Sequence, residues 1–189
     1  MVQGDDATDT AAARLRQLHT YFREHPVRSA EGHSYTHFGN RSTVVNPGLP
    51  FNARVVEHID RTVAEVTAYT RETNPDAAPL PDSVLDVYRW CVENTSHAPE
   101  TVQQRRDILA YRHYLEHAIA AGDTRVIRPH RCPDCGTIGL HWQETRGKAI
   151  CMNRHCARDN GGTHREYSLA QLAFEHVTAR KNLRSVSAT

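Results

Sequence analysis

Four of the five cysteines fall in two tight pairs, Cys132-Pro133-Asp134-Cys135-Gly136 and, after 15 intervening residues, Cys151-Met152-Asn153-Arg154-His155-Cys156. Two cysteines separated by two residues present both sulfurs to one ion from a tight turn, and the glycine that follows permits the left-handed backbone such a turn needs. The C-x2-C, x15, C-x4-C layout reads as a zinc site that departs from the usual spacing only in its second pair. His155 is an alternative to Cys156 as the fourth ligand; four thiolates make the simpler closed site, so Cys132, Cys135, Cys151 and Cys156 are the expected metal ligands. Four protein sulfurs leave no coordination position open for water, so one structural Zn2+ is expected, with an iron site or a redox-active dithiol as the other chemistries of such pairs. Cys91, with no second cysteine near it in sequence, reads as a small buried hydrophobe.

A second constellation is His113-Tyr114-Leu115-Glu116-His117, an H-x-x-E-H pattern that in inverted zinc proteases supplies two ligands one helical turn apart and a general base. Among 13 histidines such pairs arise easily, and no carboxylate downstream offers itself as a third ligand, so these histidines read as structural or surface residues. No G-x-S-x-G, phosphate-binding glycine loop or dinucleotide fingerprint occurs. His155, Asn160 and His164 lack the Asp-His start that a His-Asn-His nuclease requires. The chain therefore reads as non-enzymatic, with no catalytic residue assigned.

The elements that must position the cysteines follow from periodicity. Ile138, Leu140 and Trp142 alternate with polar or small residues, as in a half-buried strand; Glu144 to Gly147 turns the chain, Lys148 to Cys151 returns it, and His164 to Tyr167 offers a third strand. A metal-bound unit of about 40 residues buries too little surface to fold without its ion. Ser168 and Gln171 form a capping-box pattern before a last helix with Leu169, Leu172, Ala173 and Val177 on one face, and the tail from Arg180 is expected to fray.

Four helices are expected before residue 125. Leu15, Leu18 and Phe22 mark the first, ending before Pro26. Asn52 caps a second with Val55, Val56, Ile59, Val63 and Val66 on its inner stripe; a third starts near Asp82; and a fourth has Pro99 at its first position and stops at Gly122. Residues of about 26–51 read as a long loop. The expected fold is mainly α, an N-terminal helical bundle over 1–124 followed over 125–189 by a small β zinc ribbon with four cysteine ligands and a terminal helix.

Charge divides at the same place. Residues 1–124 hold 12 Arg or Lys against 17 Asp or Glu, a net of −5, and residues 125–189 hold 11 against 5, a net of +6. Four thiolates around one Zn2+ lower the latter to about +4. An acidic part followed by a basic part hints at nucleic-acid contact by the basic one. Arg128, Arg131, Arg146, Lys148, Arg154, Arg158 and Arg165, beside Trp142 and Tyr167, are the expected contacts to DNA or RNA. No apolar run approaches the roughly 20 residues of a membrane span, and the acidic N-terminus is unlike a secretory signal, so a cytoplasmic protein without membrane attachment is expected.

The layout resembles a family of small uncharacterised proteins of actinobacteria and their phages. These have a segment like Leu49-Pro50-Phe51-Asn52 before a long helix, a tryptophan such as Trp90 in a later one, and a C-terminal Cys-x-x-Cys zinc ribbon. The resemblance covers roughly residues 45–175 and implies a phage or mobile-element origin but no activity. Three functional classes follow: a nucleic-acid-binding or regulatory protein, an adaptor that presents the ribbon as a rigid platform to a host or phage protein, and a metalloenzyme using His113, Glu116 and His117.

Overall fold

The structure, a computed structural model, describes residues 7–24 and 51–187, with side chains placed over 7–20 and 55–183. The loop expected at about 26–51 lies outside the described residues up to position 50, as does the Phe22 side chain; Asn52, expected as the cap, falls one residue inside helix α2, which begins at Phe51. Helix α1 (Ala7–Glu24) buries Ala11, Leu15 and Leu18, one stripe at spacings of four and three. Helix α2 (Phe51–Thr73) buries Val55, Ile59, Thr62, Val66 and Thr70, while Val56, expected on that stripe, is 56% exposed. A residue adjacent to Val55 is turned about 100° away from it, which puts Val56 outside the inner face.

The third helix begins later than expected. Ser83 accepts a hydrogen bond from the Leu85 amide and opens a 3-10 turn over Val84–Asp86, and helix α3 (Val87–Thr95) follows with Val87, Tyr88, Trp90 and Cys91 buried. Pro99 occupies the cap position, one residue before helix α4 (Glu100–Ala120), rather than its first position. At the other end Gly122, at φ +82°, lets the chain reverse so that its amide reaches Ile119 and the Asp123 amide reaches Ala118.

Three antiparallel strands follow in the order β1 (His141–Gln143), β2 (Lys148–Ile150), β3 (Glu166–Tyr167). Trp142 pairs with Ala149 and Ala149 with Tyr167, so these three share the inner face; His141, Ile150 and Glu166 share the outer one. The first strand is shorter than the alternation implied. Leu140 is buried, but Ile138 forms an isolated bridge with Arg131 outside the three strands and is 56% exposed. A short helix α5 (Arg154–Asp159), not anticipated from the sequence, lies between β2 and β3.

Helix α6 (Leu169–Ser187) opens with the expected reciprocal cap, the Gln171 amide donating to Ser168 Oγ and the Ser168 amide to Gln171 Oε1. It does not stop at Arg180. Lys181 pairs with Glu100 at 2.8 Å and donates to Gln104, which gives the tail a surface on α4 to follow.

Two apolar clusters result. Ala11, Leu15, Leu18, Val55, Ile59, Val66, Val87, Tyr88 and Trp90 pack around Ala110 of α4, and Val126, Ile127, Leu140, Ala149, Tyr167 and Leu172 pack around Tyr111, Leu115 and Ala118 of the same helix. Helix α4 thus runs between the helical part and the sheet. Among the described residues, no helix is long and apolar enough to cross a membrane.

Candidate metal centre

The first cysteine pair sits in a turn closed by its own backbone. The Cys132 amide donates to Thr137 O at 2.9 Å and the Gly136 amide to Cys132 O at 2.8 Å, with Gly136 at φ +68°. Both cysteine side chains are thereby directed to one side of the turn. The second pair is built differently. Cys151 leaves β2 with its amide bonded to Arg165 O, and Asn153 caps α5 by accepting from the His155 amide at 3.0 Å. Cys156 then projects from the first turn of that helix. Four intervening residues, rather than two, are what a cap and the start of a helix require.

The four sulfurs lie within 4.8 Å of one another, an arrangement able to hold a metal ion. Cys132 and Cys156 are 3.9 Å apart and Cys135 and Cys151 are 3.7 Å apart. A tetrahedral ion with metal–sulfur bonds of about 2.3 Å sets its sulfurs about 3.8 Å apart. All five cysteines are free thiols. His155 is exposed and outside the group.

Without a cation the thiols ionise unequally. Burial, and then the neighbouring cysteines, push the Cys156 thiol up to about 12, and burial raises Cys151. Exposed Cys135 is drawn down to about 6, first by the Thr137 hydroxyl and then by the Thr137 amide. A cation at the centre reverses this balance by favouring all four thiolates. The surroundings are polar: Asn153 Nδ2 approaches Cys135 Sγ at 3.6 Å, and the Tyr167 hydroxyl lies 2.9 Å from Cys132 Sγ and 2.5 Å from Asp134 Oδ2. Tyr167, expected among the nucleic-acid contacts, is 6% exposed and faces the sulfurs instead.

The seven basic residues divide into two groups. Arg146 is paired with Glu166, and Arg165 lies 3.5 Å from Asp134. Arg128, Arg131, Lys148, Arg154 and Arg158 have no carboxylate partner among the described residues, and all except half-buried Lys148 are exposed. Arg131 donates to Gly136 O, which fixes its position without cancelling its charge. Arg154 and Arg158 are one turn apart on α5.

Sequence reasoning placed His113 and His117 but missed their partners. Both are buried in the helical part, at 0% and 1% exposure, together with His58 of α2 and Tyr88 of α3. Arg61 lies 3.1 Å from His58 Nδ1, His58 Nε2 2.8 Å from His117 Nδ1, and His117 Nε2 3.0 Å from Tyr88 Oη. Arginine has only protons to give, which fixes the sense of this chain. His58 accepts at Nδ1 and donates from Nε2 to His117 Nδ1, and His117 donates from Nε2 to Tyr88. Glu65, also on α2, accepts from His113 Nε2 at 3.1 Å and pairs with Arg112, whose Nε is 3.4 Å from Glu116. The available signal was the seven-residue spacing of His58 and Glu65, which puts both on the α2 face turned toward the motif.

No protein-family model, curated protein or solved structure matches this chain.

Proposed function

We propose that residues 125–189 form a zinc ribbon in which Cys132, Cys135, Cys151 and Cys156 hold one structural Zn2+, and that this ribbon binds DNA or RNA without catalysing a reaction. The metal assignment is supported by the two sulfur separations, 3.7 and 3.9 Å, which match a tetrahedral tetrathiolate. Zinc supplies a fixed cross-link between the two cysteine turns. Elemental analysis of protein purified under reducing conditions is expected to give one zinc per chain in colourless material, where an iron site would be coloured. A Cys132→Ser variant is expected to lose that ion.

The observation that carries the binding function is the set of five cations without a carboxylate partner among the described residues, Arg128 and Arg131 before and in the first cysteine turn, Lys148 at the start of β2, and Arg154 and Arg158 on α5. The outer face of the sheet carries exposed His141, with Met152 55% exposed next to it, and Lys148 falls on the same face by strand alternation. Cations on a surface that also offers rings suit phosphates flanking unpaired bases. If all five contact phosphate, log affinity falls with log salt at a slope of about −4.5 on duplex DNA or about −3.5 on single strands. Replacing Arg128, Arg154 and Arg158 by Ala is expected to flatten the slope by about 2 to 3, measured by fluorescence anisotropy on labelled oligonucleotides. Zinc-loaded protein that retains no DNA or RNA at about 50 mM salt would sink the nucleic-acid function.

A further inference from the structure

Three buried histidines, His58 of α2 with His113 and His117 of α4, bring their rings together in the helical part, separate from the cysteines. We propose that His58 Nε2, His113 Nδ1 and His117 Nδ1 bind one divalent transition-metal ion within the helical part of the molecule. Three observations support this assignment.

The first concerns lone pairs. His113 Nε2 lies 3.1 Å from Glu65 Oε2 and 3.2 Å from Arg112 Nη2; Arg112 has Glu65 as its own acceptor, so the tautomer with the proton on Nε2 satisfies the carboxylate and leaves Nδ1 a bare acceptor, an atom that is fully buried with no hydrogen-bond partner among the described residues. An orphaned buried acceptor is costly, and a cation satisfies it. His117 likewise directs Nε2–H to Tyr88 and holds Nδ1 as an acceptor. A ligating imidazole usually donates its outer N–H to a carboxylate or other oxygen, and Glu65 and Tyr88 occupy that role. Only His58 must change tautomer: its proton moves from Nε2 to Nδ1, and Arg61, on the exposed side of α2, turns away.

The second concerns distance. Three imidazoles around a tetrahedral ion at about 2.0 Å have neighbouring ring centres about 5 Å apart. His58 and His117 are already at 5.0 Å, and His113 and His117 at 6.0 Å. The His58 Nε2 to His117 Nδ1 separation of 2.8 Å must open to about 3.3 Å, and His113, which is more than 4.8 Å from at least one of the other two donor atoms, must close by about 1.5 Å or more. The cysteines are the one preassembled group among the described residues, so the histidine site is completed by the ion itself.

The third concerns the motif. Glu116, the general base of an H-x-x-E-H reading, lies against Arg112 instead, and the third imidazole beside the two of the motif is that of His58 on α2. Glu65 and Glu116 together offset Arg61 and Arg112, so the bundle adds no net charge against a cation. Nitrogen donors of this kind suit zinc, cobalt, nickel or copper.

Cobalt(II) added to the zinc-loaded full-length chain at about pH 7.5 tests the site by NMR of the histidine rings and by metal content. One further equivalent is expected to bind and to broaden the rings of His58, His113 and His117. His58→Gln is expected to weaken this binding by tenfold or more with circular dichroism unchanged, and Glu116→Gln to leave it intact. The proposal fails if the three rings do not respond in the unmodified chain, or if Glu116→Gln abolishes the response. It also fails if folded His58→Gln keeps it. Because the readout is the rings themselves, failure here is distinct from failure of the cysteine site.

Discussion

Tyr167 has one hydroxyl proton, which it donates to Asp134 Oδ2 at 2.5 Å, and the same hydroxyl lies 2.9 Å from Cys132 Sγ. Burial first, then Asp134 and Cys132, hold the phenol well above its usual value, so it remains a donor at any working pH. A donor beside a metal thiolate strengthens the ligand set, and loss of such outer contacts typically weakens metal binding by 10- to 100-fold. Tyr167→Phe is therefore expected to bind zinc about tenfold more weakly in a competition against a chromogenic chelator; unchanged affinity removes the hydroxyl from the site. The buried imidazoles act through linkage. Burial, then Arg61 and His113, depress His58 to about 4, and burial, then His58 and His113, depress His117 to about 2. An unfolded chain takes up these protons below about 6.5 and the folded one only far lower, so stability is complete above that value and falls as the pH drops through it. The pair together removes up to about 4 kcal/mol by pH 5. Glu65, drawn down to about 2 chiefly by its hydrogen bond from His113, extends the loss in the same direction between about 4.5 and 2. Urea midpoints of metal-free protein are expected to decline from pH 6.5 downward, and His117→Gln is expected to flatten that decline.

Helix α4 carries the connection between the two parts. Leu115 is 0% exposed and lies among Ile127, Leu140 and Leu172, while Ala110, just over one turn earlier, packs against α1, α2 and α3. Leu115→Ala is expected to cost about 2 to 5 kcal/mol in equilibrium denaturation, and to loosen α6 and the sheet before α1 to α3. At the C-terminal end of α4, Gly122 has open space around its Cα but a φ of +82°, so Gly122→Ala is opposed by backbone strain alone, about 1 to 2 kcal/mol. This division explains what sequence could show. The stripes of α1 and α2 and the capping box of α6 depend on local periodicity and were legible, as was the turn around Cys132 and Cys135. Val56 and Ile138 were misplaced because a β-branched residue beside a stripe scores as apolar whichever way it points. Helix α5 was missed because six residues carry too little periodicity, although Asn153 before Arg154-His155-Cys156 is a cap in plain view. The continuation of α6 past Arg180 depends on Glu100 and Gln104, some 80 residues earlier, and no local pattern contains that contact.

At the scale of the molecule, the charge asymmetry separates two parts that packing joins. His176 of α6 stacks on Tyr111 of α4 at 4.0 Å, the Tyr111 hydroxyl meets His130 Nε2 at 3.1 Å, and His130 is tied to Ile127 O just before the first cysteine turn. The site was legible in composition, because paired cysteines announce themselves; its attachment was not, because aromatic stacking across 65 residues leaves no trace in local spacing. These contacts determine what metal removal does. Cys132, Cys151 and Cys156 belong to the cluster that contains Leu140, Ala149 and Tyr167, whereas the cluster of α1, α2 and α3 holds none of the four paired cysteines. Three strands of two or three residues cannot persist on hydrogen bonds alone once the sulfurs part. The Leu15, Leu18, Val66 and Tyr88 packing is untouched by that event. Chelation under reducing conditions is therefore expected to abolish amide-exchange protection at Cys132, Ala149, Ile150 and Cys151, to reduce it in α6, and to leave most of the helical circular dichroism and the protection of α1 to α3 in place. Uniform loss along the whole chain would instead mean that α4 cannot hold the helical part without a folded sheet against its other side, and the two clusters would then be one cooperative unit.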